Sequence, residues 1–263
     1  MEALSTAACR ASPQKLVEST TSTKDLWSLY ARGGFYRRNL ALAKALDSVA
    51  VDVPIRRVLE LASDGSFMTA IAVRQPALSS RLRRWVTTDI SRTALRHSTR
   101  LFACGPPCVH YPLKRMTVPR NWTETQGTYR VSLDRRTIVV EVAPMDASNL
   151  SNCRLDAFDA VVTISMEHFL HDLRLLEAIP RGTVVAFSVP NFGAPRNRAS
   201  LAGFCERSMT PGQYLHECDQ HWHTFESENE IVERYGGLLS LRAMTRVQHI
   251  GKWAKWVVVG RRL

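Results

Sequence analysis

Three acids and a short turn carry the chemistry most legible in this chain. Arg57-Val-Leu-Glu-Leu-Ala-Ser-Asp-Gly-Ser-Phe67 reads as an apolar strand running into a tight turn, with Glu60 near the strand end. Ser63-Asp64-Gly65-Ser66 is that turn, and Phe67 to Val73 is expected to start a helix whose N–H groups face a ligand. A second strand, Trp85-Val-Thr-Thr-Asp-Ile-Ser91, ends in Asp89. An open α/β sheet makes a nucleoside pocket in this order, and a carboxylate at that place accepts both ribose hydroxyls. A third acid, Asp146, follows the Val-rich run Val139-Val-Glu-Val142.

Further blocks support the pattern. Val139-Val-Glu-Val-Ala-Pro-Met-Asp-Ala147, Phe158-Asp-Ala-Val-Val-Thr-Ile-Ser-Met-Glu-His168 and Gly182-Thr-Val-Val-Ala-Phe-Ser-Val-Pro-Asn191 succeed one another at the spacing of a third, fourth and fifth strand. In order and spacing these blocks, from residue 55 to 260, resemble the class I S-adenosylmethionine-dependent methyltransferases. The resemblance implies an α/β, Rossmann-like fold: a central, mostly parallel seven-stranded sheet with an antiparallel last strand and helices on both faces. It also implies S-adenosyl-L-methionine as cofactor. Ala62, Ser63 and Gly65 would lie near its amino-acid end, with Asp89 on the ribose, Asp146 on the adenine amino group, and Ile164 and Ser165 lining the pocket. Glu60 would organise the turn or meet the ammonium through water. The family's first turn usually reads Glu/Asp-x-Gly-x-Gly-x-Gly, whereas here it reads Glu60-Leu-Ala-Ser-Asp-Gly-Ser66. Glycine belongs there because a Cβ crowds a backbone that needs positive φ or approaches a ligand closely.

Glu167 and His168 stand just beyond the fourth strand, where a group facing the methyl acceptor would sit, and His223 arrives from a later segment. These three are the expected catalytic residues. Glu167-His168 and His221-Trp-His-Thr-Phe-Glu226 also have a weaker, local resemblance to small-RNA 2′-O-methyltransferases, which hold a divalent metal with a Glu-x-x-Glu-His motif. Ile164 stands where that motif has its first Glu, and no metal is assigned.

Composition narrows the rest. The 263 residues suit one α/β domain with additions: a flexible arm over 1–24, a single domain over 25–263, and insertions near 104–136 and 192–220. No apolar run approaches the ~20 residues that span a bilayer, so no membrane partner is expected. Six scattered cysteines point to a reducing, cytoplasmic compartment. The net charge is +11, and residues 74–136 carry thirteen Arg/Lys against Asp89, Glu124 and Asp134, a net of +10. Such a stretch is a candidate polyanion surface. The methyl acceptor is therefore expected to be a small molecule or RNA. The contrasting expectation is a noncatalytic nucleic-acid-binding or scaffold protein on a degenerate methyltransferase fold.

Secondary structure completes the reading. Asp25 to Asp47 predicts a helix on each side of Gly33-Gly34, and 92–103 a helix after the second strand. Thr128–Leu133 and Thr137–Val142 predict a hairpin about Asp134-Arg-Arg. His223 to Gly236 predicts a late helix with a closing glycine, and two strands end the chain.

Overall fold

The computed structural model describes residues 34–63, 65–104, 116–117, 125–133, 136–147, 149–150, 153–164, 173–191, 204–205, 213–216, 221–223, 225, 227–248 and 254–263. The expected N-terminal arm and the helix before Gly33 lie outside them.

Mostly apolar runs become the middle strands, because a strand covered on both faces buries nearly all its side chains. These are β1 (Arg57–Leu61), β2 (Arg84–Asp89), β6 (Ala160–Thr163) and β7 (Val184–Asn191). The polar side chains that the first two bury, Glu60 on β1 and Thr87, Thr88 and Asp89 on β2, fall toward the strand ends. Around them run α1 (Gly34–Asp52), α2 (Phe67–Ala72), α3 (Pro76–Arg81), α4 (Arg92–Cys104) and α5 (Arg174–Ala178). The chain closes with α6 (Glu228–Tyr235), β11 (Leu239–Gln248) and β12 (Ala254–Arg262). Ser227 caps α6: its hydroxyl accepts the Glu230 N–H and donates to the Glu230 carboxylate.

The predicted hairpin forms as β4 (Gly127–Leu133) and β5 (Arg136–Pro144), with the two-residue β3 (Met116–Thr117) beyond it. The main sheet has nine strands in the order β11-β12-β7-β6-β1-β2-β5-β4-β3. Seven of these make the expected sheet. The other two, β3 and β4, come from the insertion near 104–136, which extends the sheet at the β5 edge. β12 lies antiparallel between β7 and β11, as the resemblance implied. A separate three-stranded sheet, β8 (Phe204–Cys205), β9 (Gln213–His216) and β10 (His221–His223), takes up part of the later insertion.

Alternation along the strands divides the core between the two sheet faces. Val58, Ala160, Val162, Val184, Ala186, Val257 and Val259 pack with Leu42, Leu46 and Phe67 on one face. Leu59, Leu61, Val161, Val185, Phe187 and Val258 pack with Leu176 and Ile231 on the other. On β5 only Ile138, Val140 and Val142 are buried, so this edge is covered on one side. Among the described residues no helix is long and apolar enough to cross a membrane.

Candidate cofactor crevice

β1 pairs in parallel with β2 on one side and β6 on the other, and the strand order departs in opposite directions from there. Open α/β sheets bind ligands outside the carboxyl ends of strands at such a switch point. The turn after β1, Asp89 at the end of β2, Asp146 after β5, and Thr163 and Ile164 at the end of β6 all stand at this end of the sheet.

The turn holds a backbone that glycine would ordinarily supply. Ala62 has φ 51°, Gly65 φ 95° and Ser66 φ 64°. Counted from Glu60, Ala62 and Ser66 occupy the first and third glycine positions of the Glu-x-Gly-x-Gly-x-Gly frame. A non-glycine residue in left-handed backbone costs roughly 1–2 kcal/mol, so surrounding bonds must hold it there. Ser63 N–H donates to Thr88 O at 2.9 Å, and Ser66 N–H to Ser63 O at 2.9 Å. The Ser66 hydroxyl meets Thr87 Oγ1 at 2.7 Å and donates to Ser98 Oγ at 2.7 Å, which donates to Ala94 O at 3.0 Å. Serine thus offsets the missing glycine by tying the turn to β2 and α4.

Glu60 is fully buried. Its carboxylate accepts the Thr69 hydroxyl from α2 and the Trp85 indole N–H at 2.9 Å. These bonds tie β1 to α2 and β2 on either side of the turn. Asp89 is buried at 4 % exposure, with Oδ1 accepting Ser91 N–H at 2.8 Å. Asp146 is exposed, and its carbonyl accepts Asn149 N–H at 3.1 Å. Ile164 is buried, with its carbonyl bonded to the Ser188 hydroxyl at 2.7 Å.

Two buried hydroxyls at this end have no hydrogen-bond partner among the described residues: Ser63 Oγ, just past β1, and Thr163 Oγ1, at the end of β6. Thr163 sits opposite Leu61 in the β1–β6 register. Leaving a buried hydroxyl unbonded costs about 1–3 kcal/mol, and both are placed where a nucleoside cofactor would supply polar atoms. The left-handed turn, the acid closing β2 and these hydroxyls fit such a group. Ser63 was expected from sequence. Thr163 was not, although its place directly before Ile164-Ser165 was the available signal.

Ser165, Glu167 and His168 lie outside the described residues, as does the His223 side chain. The backbone still places His223. It ends β10, two residues before Phe225, whose carbonyl accepts the Asn191 side-chain amide at 2.7 Å and the Trp256 indole N–H at 2.9 Å. Asn191 ends β7 and Trp256 lies near the start of antiparallel β12. His223 therefore enters at the crevice end of the sheet. Two buried cations were also missed, Arg38 on α1 and Lys255 on β12. Arg38 lies one turn before Leu42 on the buried stripe of its helix, and its Nε donates to Asn39 Oδ1 at 3.1 Å. Among the described residues no group of three or more His, Cys, Asp or Glu could hold a metal ion.

No protein-family model matches the chain, and neither does any curated protein. Solved structures do match. The N-methyltransferase NodS from Bradyrhizobium japonicum WM9, in complex with S-adenosylhomocysteine, is similar over 96% of this chain and 99% of its own, with TM-score 0.54 and 11% identity. A Burkholderia thailandensis 1,6-didemethyltoxoflavin-N1-methyltransferase is similar over 97% and 88%, with TM-score 0.51 and 16% identity. The CurJ carbon methyltransferase is similar over 97% of this chain and 62% of its own, with TM-score 0.55 and 11% identity. The chain has the class I, Rossmann-like methyltransferase fold.

Proposed function

We propose that this protein is an S-adenosylmethionine-dependent methyltransferase. The observation that carries the reading is a left-handed turn at the sheet's switch point, beside two buried hydroxyls, Ser63 Oγ and Thr163 Oγ1, without a hydrogen-bond partner among the described residues. Neighbours of the same fold bound to S-adenosylhomocysteine support it.

When bound, the cofactor supplies an electrophilic methyl group on a sulfonium. The chain's part is to bind and orient. Asp89 accepts the ribose hydroxyls, the Ala62–Ser66 backbone receives the amino-acid end, Asp146 takes the adenine amino group, and Ile164 and Ser165 line the pocket. Glu60 keeps the turn in place. Glu167, His168 and His223 face the acceptor, where positioning behind the methyl carbon and exclusion of water can supply most of the acceleration. The acceptor is a small molecule or RNA. The compartment is cytoplasmic, a reading supported by the scatter of the six cysteines along the sequence.

Calorimetric titration with S-adenosylhomocysteine tests the reading. One saturable site is expected. A folded protein with no heat of binding would overturn it and leave the noncatalytic scaffold.

A further inference from the structure

The parallel strands also have an opposite end, and the basic residues there are sorted in a specific way. A cleft of about 580 Å³ opens at the amino ends of β1, β2 and β5, lined by Pro54, Arg56, Ser80, Arg81, Leu82, Arg83, Arg136 and Thr137. Four of these eight described lining residues are arginines and none is an acid.

Backbone bonds fix where the arginines stand. Arg83 N–H donates to Arg56 O at 2.8 Å, and Val139 N–H to Arg83 O at 2.9 Å, so Arg56 and Arg83 stand side by side just before β1 and β2, and Arg136 opens β5 two residues earlier in the register. Arg81, at the end of α3, is steadied by Nη1 donating to Ala50 O at 3.1 Å. Their neighbours in sequence are neutralised. Arg84 pairs with Glu141 through bonds of 2.9 and 2.7 Å, and Arg57 lies 3.8 Å from Asp159. Arg56, Arg81, Arg83 and Arg136 form no ion pair among the described residues.

Gathering four cations round one concavity raises its potential, and the opposing partner must bring several negative charges. Guanidinium groups match phosphate oxygens bidentately. The concave shape suits a strand entering a groove better than a flat lipid surface. Along β1 the cleft lies roughly 20 Å from the cofactor turn at ~3.3 Å per residue, so a ligand held here and acting at the crevice must be a polymer. We propose that this cleft binds the phosphates of a single-stranded nucleic acid. The charge and shape of the cleft stand by themselves, whereas the polymer step rests on the methyltransferase reading; the site also draws in Arg56, outside the basic 74–136 stretch.

Fluorescence anisotropy with a labelled 20-nucleotide RNA tests it on the full chain. Four phosphate contacts on a single strand predict an affinity loss of about 50-fold between 50 and 200 mM salt. Arg83→Ala/Arg136→Ala should bind more weakly at 50 mM salt and lose only about 7-fold over the same range, since two contacts remain. Arg56→Gln/Arg136→Gln should behave alike and serves if the first variant misfolds by circular dichroism. Arg242→Ala/Arg246→Ala, which removes two exposed arginines of β11, should bind as wild type. Equal weakening in that control would mean diffuse surface charge and overturn the site. So would pyrophosphate binding as tightly as RNA, or binding to phosphatidylserine vesicles without binding to RNA. S-adenosylhomocysteine calorimetry on the same samples separates this result from that of the methyltransferase reading.

Discussion

The Glu60 carboxylate on β1 accepts the indole N–H of Trp85 on β2 at 2.9 Å, while also holding the Thr69 hydroxyl of α2. All three residues are fully buried, so one acid joins two strands and a helix next to the left-handed turn after β1. Hydrogen bonds to a charged group contribute about 1.5–3 kcal/mol each. Glu60→Ala should therefore destabilise the fold by about 3 kcal/mol or more in urea denaturation. Glu60→Gln, which keeps the shape and one acceptor, should cost less. A loss below about 1 kcal/mol in Glu60→Ala would remove the organising role.

A second prediction concerns the residue in left-handed backbone at φ 51°, Ala62. Glycine relieves about 1–2 kcal/mol of strain there but costs about 0.5–1 kcal/mol of backbone entropy on folding. Ala62→Gly should leave stability unchanged or raise it by up to about 1 kcal/mol. It should also tighten S-adenosylhomocysteine binding, because the Cβ leaves the turn. Weaker binding with unchanged stability would show that the Cβ contributes a contact instead.

The parts of the fold legible in sequence were those with strong periodicity. Buried strands such as Val184–Asn191 have few alternatives, and the hairpin between Leu133 and Arg136 follows from alternation with turn residues between. The extended sheet was less legible, since Met116-Thr117 is too short to show a period. At the carboxyl end of the sheet, the left-handed backbone of Gly65 and the place of Asp89 at the end of β2 could be read, because few residue types suit those positions. Ala62 and Ser66 could not be read as left-handed, because bonds to Thr87, Thr88 and Ser98 from distant elements hold the turn. Arg38 was missed for a related reason: a charged residue on an amphipathic helix normally marks the solvent face, and only packing reveals the exception. The basic cleft was half visible. The charge of the 74–136 stretch is in the sequence, but the pairing of Arg84 with Glu141 and the isolation of Arg83 depend on register.

Tyr235 supplies a third prediction. Its ring packs 5.0 Å from Phe187 and 5.5 Å from Phe225, and its buried hydroxyl has no hydrogen-bond partner among the described residues. Burial pushes the phenol well above its ordinary range, with Arg234 opposing slightly. Tyr235→Phe should raise stability at neutral pH by about 1 kcal/mol, since an unbonded buried hydroxyl is removed. The pH dependence has a definite sign. Below the unfolded value of 10.0 neither state ionises; above it only the unfolded chain gives up the proton. Stability is then lost at up to about 1.4 kcal/mol per pH unit as pH rises toward the folded value. Urea midpoints between pH 9 and 11 should show wild type falling more steeply than the variant. Parallel curves would mean that the Tyr235 hydroxyl reaches water or a base.

The last prediction separates binding from folding at Asp89. This carboxylate already accepts Ser91 N–H through Oδ1 at 2.8 Å, at the start of α4, so truncation to alanine would loosen the helix entry as well as the pocket. Asp89→Asn keeps a carbonyl oxygen for Ser91 and removes the negative charge that should accept two ribose hydroxyls. Bonds to a charged acceptor are worth about 1.5–3 kcal/mol against about 0.5–1.5 for a neutral one. The asparagine variant should therefore weaken S-adenosylhomocysteine binding by about 1–3 kcal/mol, roughly 5- to 150-fold, with its urea midpoint close to wild type. A control nucleoside lacking both ribose hydroxyls should bind wild type and variant with nearly equal affinity, because the lost interaction is the one it cannot make. Unchanged affinity for S-adenosylhomocysteine in the folded variant would remove Asp89 from the ribose and require another acceptor at the end of β2.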